Sequence, residues 1–188
     1  MVYAESAAIA FADRVRKYAD LIVLIDNRQF LPSRWTTADG RRPLDPHRSW
    51  QLYTIITPEH AEVVRVAKGA YNLPQIYFAN FGGVIDQDCA YGGESLYLGG
   101  GPAGTRFLYL ASVATYPEAT PLADDPRYRY YSVTRRYPVS PDGLITIGPE
   151  RDIMGNKKDD PPRTLTVDEV FSEIAALLGS PATPTPKR

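Results

Sequence analysis

The sequence predicts an α+β fold, with a central antiparallel sheet and helices near both termini. Three observations predict it. Apolar residues at helical spacing cluster towards the two ends of the chain. The middle is built from short runs rich in aromatic and β-branched residues. Glycine, proline and aspartate punctuate those runs. Helices and strands segregated in this way indicate α+β rather than alternating α/β. The 188 residues fit one domain of ordinary size. That domain is expected over residues 1–179. Residues 180–188 hold three prolines and no apolar run, so they are expected to be a disordered tail.

In residues 4–19, Ala4, Ala8, Phe11, Val15, Tyr18 and Ile22 recur at helical spacing, with Asp13, Arg14, Arg16 and Lys17 off that stripe. Residues 21–25 follow as a solid apolar run, expected to be a buried strand. Residues 26–49 read as a long loop anchored by Phe30 and Trp35. Residues 51–56 look like a strand. Thr57-Pro58-Glu59 then resembles a helix start, with a capping hydroxyl, proline at the first helical position and an acid at the positive end of the dipole. Val63, Val64, Ala67, Ala70 and Tyr71 would be that helix's buried face. Strands are expected over residues 75–81, 96–98, 106–113, 127–139 and 144–147. The last two flank Ser140-Pro141-Asp142-Gly143, a strong turn signal that predicts a hairpin. Residues 152–163 read as a loop. Thr166-Val167-Asp168-Glu169 is a capping box, and Val170, Phe171, Ile174 and Leu178 continue its helical stripe up to Gly179.

Charge excludes some functions. Lys and Arg number 21 against 22 Asp and Glu, a formal net charge of -1. A general nucleic-acid or membrane-surface binder would usually be basic, so nucleic acid is an unlikely partner. The longest apolar run is too short to span a bilayer, so no membrane partner is expected. The single cysteine, Cys89, cannot form an intramolecular disulfide, which fits a cytoplasmic location or export within a larger polypeptide. His47 and His60 form no metal-ligating cluster with it, and the sequence calls for no metal or cofactor.

The most conspicuous segment packs six glycines into thirteen positions, 92 to 104. Glycine lets backbone approach a ligand closely and turns N–H groups toward an anion. Tyr91, Gly92, Gly93, Gly99, Gly100 and Gly101 are therefore the candidate ligand-binding residues. Gly99, Gly101 and Gly104 match the spacing of a dinucleotide fingerprint, but that motif needs a helix next, and residues 106–113 are β-like. The acidic group Asp86, Asp88 and Glu94 offers cation binding or acid–base work, against a plainly solvated role. Residues 127–137 interleave tyrosine with arginine. Tyr128, Tyr130 and Arg135 are expected as exposed anchors for a protein partner, and the same strand offers stacking for RNA or single-stranded DNA.

The block from Val84-Ile85-Asp86-Gln87 through Tyr91-Gly92-Gly93-Glu94-Ser95-Leu96-Tyr97-Leu98 to Gly104-Thr105-Arg106-Phe107 resembles the tuberculosis necrotizing toxin family. So does its sequel, Tyr128-Arg129-Tyr130-Tyr131-Ser132-Val133, Pro138-Val139 and Gly143-Leu144-Ile145. The resemblance implies a toxin domain that binds or cleaves NAD, with Arg106 and Glu94 as candidate catalytic residues. Gln87 stands where the family has arginine, and residues 151–158 hold no counterpart of its catalytic glutamine. Leu73-Pro74, Tyr77 and Phe81-Gly82-Gly83 resemble the signature of SUKH-type immunity proteins. Both resemblances imply a bacterial toxin–immunity setting, with a cognate toxin or immunity protein as partner. A non-catalytic interaction module remains the alternative to an enzyme.

Overall fold

In the computed structural model the chain is described over residues 10–37, 39–44, 53–90, 105–114, 130–148 and 162–179. The expected strand at 96–98, the loop at 152–161 and the tail at 180–188 lie outside these residues. Ten strands follow a short N-terminal turn, α1 (Phe11–Asp13), which continues as a π-helical turn over Arg14–Tyr18. They are β1 (Leu21–Phe30), β2 (Arg34–Trp35), β3 (Ile55–Lys68), β4 (Gln75–Phe81), β5 (Gly83–Ile85), β6 (Asp88–Ala90), β7 (Phe107–Val113), β8 (Tyr130–Pro138), β9 (Leu144–Ile147) and β10 (Arg163–Thr166). Helix α2 (Val167–Leu177) comes last.

The main sheet runs β1-β7-β8-β4-β3-β2, and β1 also pairs with β3. That extra pairing closes five strands, β1, β7, β8, β4 and β3, into a ring in which each has two neighbours. Closure removes the unpaired edges that an open sheet exposes. The sheet is mixed rather than antiparallel throughout, because β4 and β8 run parallel through Tyr77↔Tyr130 and Phe78↔Tyr131.

The largest departure from the sequence reading is β3. Residues 57–68, expected as a capped helix, are strand. Local capping signals lost to long-range pairing. β3 bonds β1 through Phe30↔Glu59 to Ile22↔Lys68, and β4 through Ile56↔Phe81 to Glu62↔Gln75. Its β-branched Val63, Val64 and Val66 suit that pleated surface. Pro58 has no N–H for the ladder, yet its carbonyl accepts from the Leu31 N–H at 2.9 Å. The expected 127–139/144–147 hairpin is also reduced. The turn forms, with Gly143 at φ 77° and its N–H on the Ser140 carbonyl, but only the Val139↔Ile145 bridge joins its arms, and β9 pairs instead with β10.

Alternation along the ring strands separates two cores. Leu21, Val23, Ile25, Ala61, Ile76, Phe78, Phe107, Tyr109, Ala111 and Tyr131 form the inner one. Ile22, Leu24, Leu108, Leu110 and Tyr137 face outward and pack with Phe11, Val15 and, from α2, Val170, Phe171 and Ile174. Two devices pin this outer layer. Thr166 and Glu169 form the expected reciprocal capping box at the start of α2. The Lys68 ammonium donates to the Val15 and Ala19 carbonyls at 2.7 and 2.5 Å, satisfying the end of the π-helical turn.

Two bulges decide what points into the ring. The β1–β3 register shifts between Asp26 and Gln29, where Asn27 adopts φ 48°. The β7–β8 register shifts between Leu110 and Ala111, which face Arg135 and Val133 and leave Thr134 unpaired in the ladder. An extra residue inverts the alternation beyond it. Arg28 and Arg136 thereby turn inward, where unbroken alternation would have turned them out.

Left-handed backbone at a β-branched residue is costly. Asn27→Val is expected to destabilise the fold by about 1–2 kcal/mol in urea unfolding, and Asn27→Gly by well under half of that.

Candidate functional site

The ring interior has an apolar floor and a polar end. At the polar end β1 finishes at Phe30, β4 at Phe81 and β8 at Pro138, while β7 begins at Phe107. Chain direction makes this unavoidable, since Ile25↔Phe107, Phe107↔Pro138 and Phe30↔Glu59 are register pairs. The chain therefore enters β7 at this end of the ring, through Thr105 and Arg106.

Five polar side chains meet there, one from each strand: Arg28, Glu59, Asn80, Tyr109 and Arg136. Glu59 is the hub, and it is 0% exposed. Its carboxylate accepts from Arg28 Nε at 2.5 Å, Tyr109 Oη at 2.7 Å and Asn80 Nδ2 at 3.1 Å. Arg136 Nη2 stands 3.5 Å away and also donates to Asn80 Oδ1. The side chains of Arg28 and Arg136 are only 7% and 3% exposed. Aromatic faces line them. The Arg28 guanidinium lies 4.2 Å from the Phe107 ring centroid and 5.4 Å from that of Phe30, and Arg136 lies 5.2 Å from that of Tyr109.

Buried charge needs both neutralisation and hydrogen bonds. Here neither is complete. Two guanidinium groups share one carboxylate, which leaves a net positive charge. Among the described residues, no partner meets Arg28 Nη2 or Arg136 Nε and Nη1. These are buried donors without a partner, the kind of group an anion would satisfy. Glu59, in contrast, is saturated with donors. Such a carboxylate serves to hold the guanidinium groups in place. Tyr109 is held in its neutral form. Burial pushes its phenol well above the ordinary range, and the Glu59 charge adds to the effect.

None of the residues singled out from the sequence is among these five. Glu94, Tyr91, Gly92, Gly93, Gly99, Gly100, Gly101 and Tyr128 lie outside the described residues. Arg106 precedes β7 and pairs with Asp26 at 2.9 Å, on the outer side of β1, so it does not join the interior arginines. Tyr130, expected to be exposed, is 6% exposed, because its ring packs with Ile56 and Ala79 on the outer face of β3 and β4. Burial raises its phenol pKa, opposed by the nearby Arg34 charge. Arg135 is half-buried, with its guanidinium 5.7 Å from the Tyr137 ring centroid. Asp88 is taken by Arg42 in a two-pronged pair at 2.5 and 2.9 Å, and Asp86 occupies the β5–β6 turn at φ 52°. Among the described residues no three His, Cys, Asp or Glu side chains gather to hold a metal ion. His60 lies in β3 rather than at a helix start and stacks on Tyr77, 5.0 Å between ring centroids. Among the described residues no helix is long and apolar enough to cross a membrane.

Arg28 was missed because residues 26–49 read as a loop, Glu59 because it read as the first turn of a helix, and Arg136 because charge in a strand ordinarily faces solvent. The sequence offers little hint of them, since Arg28 follows Asp26 and Asn27, Glu59 precedes His60 and Arg136 follows Arg135.

No family model matches the chain, and no curated protein or solved structure matches it either.

Two outcomes follow from this geometry. Glu59→Ala strands two buried guanidinium groups and is expected to cost about 3–5 kcal/mol in chemical unfolding, against about 1–3 kcal/mol for Tyr109→Phe. A phenol whose pKa is raised on folding contributes stability that is intact below the unfolded value of 10.0 and lost as pH rises beyond it. Tyr109→Phe should therefore lose less stability than the wild type between pH 9 and pH 11, measured by urea unfolding at each pH.

Proposed function

We propose that this chain is a ligand-binding domain that takes the anionic group of a small molecule at the polar end of its ring, against Arg28 and Arg136. The observation that carries this reading is the pair of buried arginines sharing one carboxylate while keeping N–H groups unpartnered among the described residues. A scaffold role alone would be served by one arginine per acid, or by apolar residues of similar size. The rigid strands that hold these side chains suit preorganised recognition.

Within that class, NAD is the first ligand to test. Its pyrophosphate supplies the anion, and the resemblance of residues 84–149 to a family of NAD glycohydrolase toxins supports the choice. A bacterial toxin–immunity setting follows from the same resemblance. Hydrolysis asks for more than binding. With Glu59 tied to four donors and Arg106 on the outer side, the described residues supply electrostatic stabilisation more readily than a general base.

The interaction-module reading keeps Arg135 as a contact residue and loses the buried Tyr130, while Phe30 and Phe81 are exposed large apolar side chains that such a surface would use. Nucleic-acid stacking along residues 127–137 is less favoured. In the described part of that strand Tyr130, Tyr131 and Tyr137 are buried, and Arg136 points inward.

Calorimetric titration with NAD and with dimethyl phosphate tests the reading. Both should bind, and Arg136→Met should weaken each by about tenfold or more, the loss of one charge-assisted contact. That variant leaves Arg28 and Glu59 as a neutral pair, so folding is expected to survive. Absence of binding by either compound at millimolar concentration would sink the proposal, and nicotinamide release in the same samples would extend it to catalysis.

A further inference from the structure

We infer that Glu59 sets the charge of the ligand group this site accepts, selecting a singly charged anion over a doubly charged one. The inference rests on the anion-binding reading above and goes beyond it by naming the class. Carboxylates and phosphodiester-type phosphates, including each phosphate of a pyrophosphate diester, fit. Terminal phosphomonoesters do not.

The argument is one of charge balance in a buried volume. Arg28 and Arg136 bring two positive charges and Glu59 one negative charge, and all three side chains are more than nine-tenths buried. Arg28 Nε and Arg136 Nη2 are already committed to Glu59 and Asn80, which leaves Arg28 Nη2 and Arg136 Nε and Nη1 for a ligand. A singly charged oxyanion brings the cluster to neutrality. A doubly charged one leaves an uncompensated negative charge beside the Glu59 carboxylate, in surroundings made by Phe107, Phe78 and Tyr109. Like charges in such surroundings repel with little screening. Asn80 and Tyr109 do not relieve this, because Asn80 is neutral and burial keeps the Tyr109 phenol protonated. Glu59 is thus a specificity-determining residue that need not touch the ligand. It holds the two guanidinium groups in position and subtracts one charge from what they can accept.

Dimethyl phosphate and methyl phosphate provide the test, being close in shape and different in charge. At pH 8 the first is singly charged and the second mostly doubly charged, since a phosphomonoester loses its second proton near pH 6. Wild-type protein should bind dimethyl phosphate about tenfold or more tightly than methyl phosphate in calorimetric titration. Glu59→Gln should reverse that order. Should Glu59→Gln fail to fold, a pH series on the wild type replaces it. Affinity for methyl phosphate should then rise between pH 8 and pH 5 while that for dimethyl phosphate stays level. Among the described residues Arg28, Glu59, Tyr109 and Arg136 are the charged and titratable groups facing the site, and dimethyl phosphate reports any change of theirs. Equal or tighter binding of methyl phosphate by the wild type at pH 8 would overturn the inference and leave the anion-binding reading intact. Failure of both probes to bind would remove the reading itself, and the inference with it.

Discussion

The fold is organised around one buried carboxylate. Glu59 sits at the polar end of the ring, and the four other polar side chains there come from four different strands to meet it. Because each ring strand contributes one member, the hydrogen-bond network also registers the strands against one another. A slip of one residue in any of them would turn its polar member outward and strand the rest. The energetic stakes are asymmetric. The intact cluster adds little net stability over a well-packed apolar core, whereas a partial cluster is strongly unfavourable. Such an arrangement specifies a conformation more than it strengthens one.

The rest of the molecule keeps that cluster dry and aligned. Below it, Leu21, Val23, Ala111 and Ile76 form a floor that excludes water, which strengthens every charge interaction above. Outside, α2 and the N-terminal turn cover the alternate face of β1, β7 and β8. Arg65 ties α2 to β3 through Asp168 at 2.6 Å while lying 4.1 Å from the Phe171 ring centroid. Strands with both faces covered tolerate little movement, so the guanidinium groups are held by backbone on rigid elements rather than by loops. The rim is different in character. Phe30 is 47% exposed beside Arg28, giving the polar end an open aromatic edge.

Much of this was legible in the sequence where structure is local. The strands at 75–81, 106–113 and 130–138 follow from aromatic and β-branched runs, and the Thr166 cap follows from its own four residues. What failed was non-local. Thr57-Pro58-Glu59 has the chemistry of a helix start, and only the need of β1 and β4 for a common neighbour makes it strand. The candidate site failed for a second reason. Arg28 read as part of a loop, alternation along β8 predicts an outward Arg136, and single extra residues at Asn27 and Thr134 turn both inward. A bulge leaves almost no trace in composition, although asparagine at a left-handed position is a familiar one. The glycine segment, the loudest signal in the sequence, lies outside the described residues, and the functional reading now rests on side chains that drew no attention there.

The central claim is that Arg28 and Arg136 present unpaired donors to an anion inside the ring. Bromide soaked into crystals of the protein tests it most directly, because the ion is singly charged, small and visible by anomalous scattering. The account predicts an anomalous peak within hydrogen-bonding reach of Arg28 Nη2 and Arg136 Nη1, absent from crystals of Arg136→Met. Ordered bromide at surface lysines and arginines, with no peak at the polar end of the ring, would contradict it.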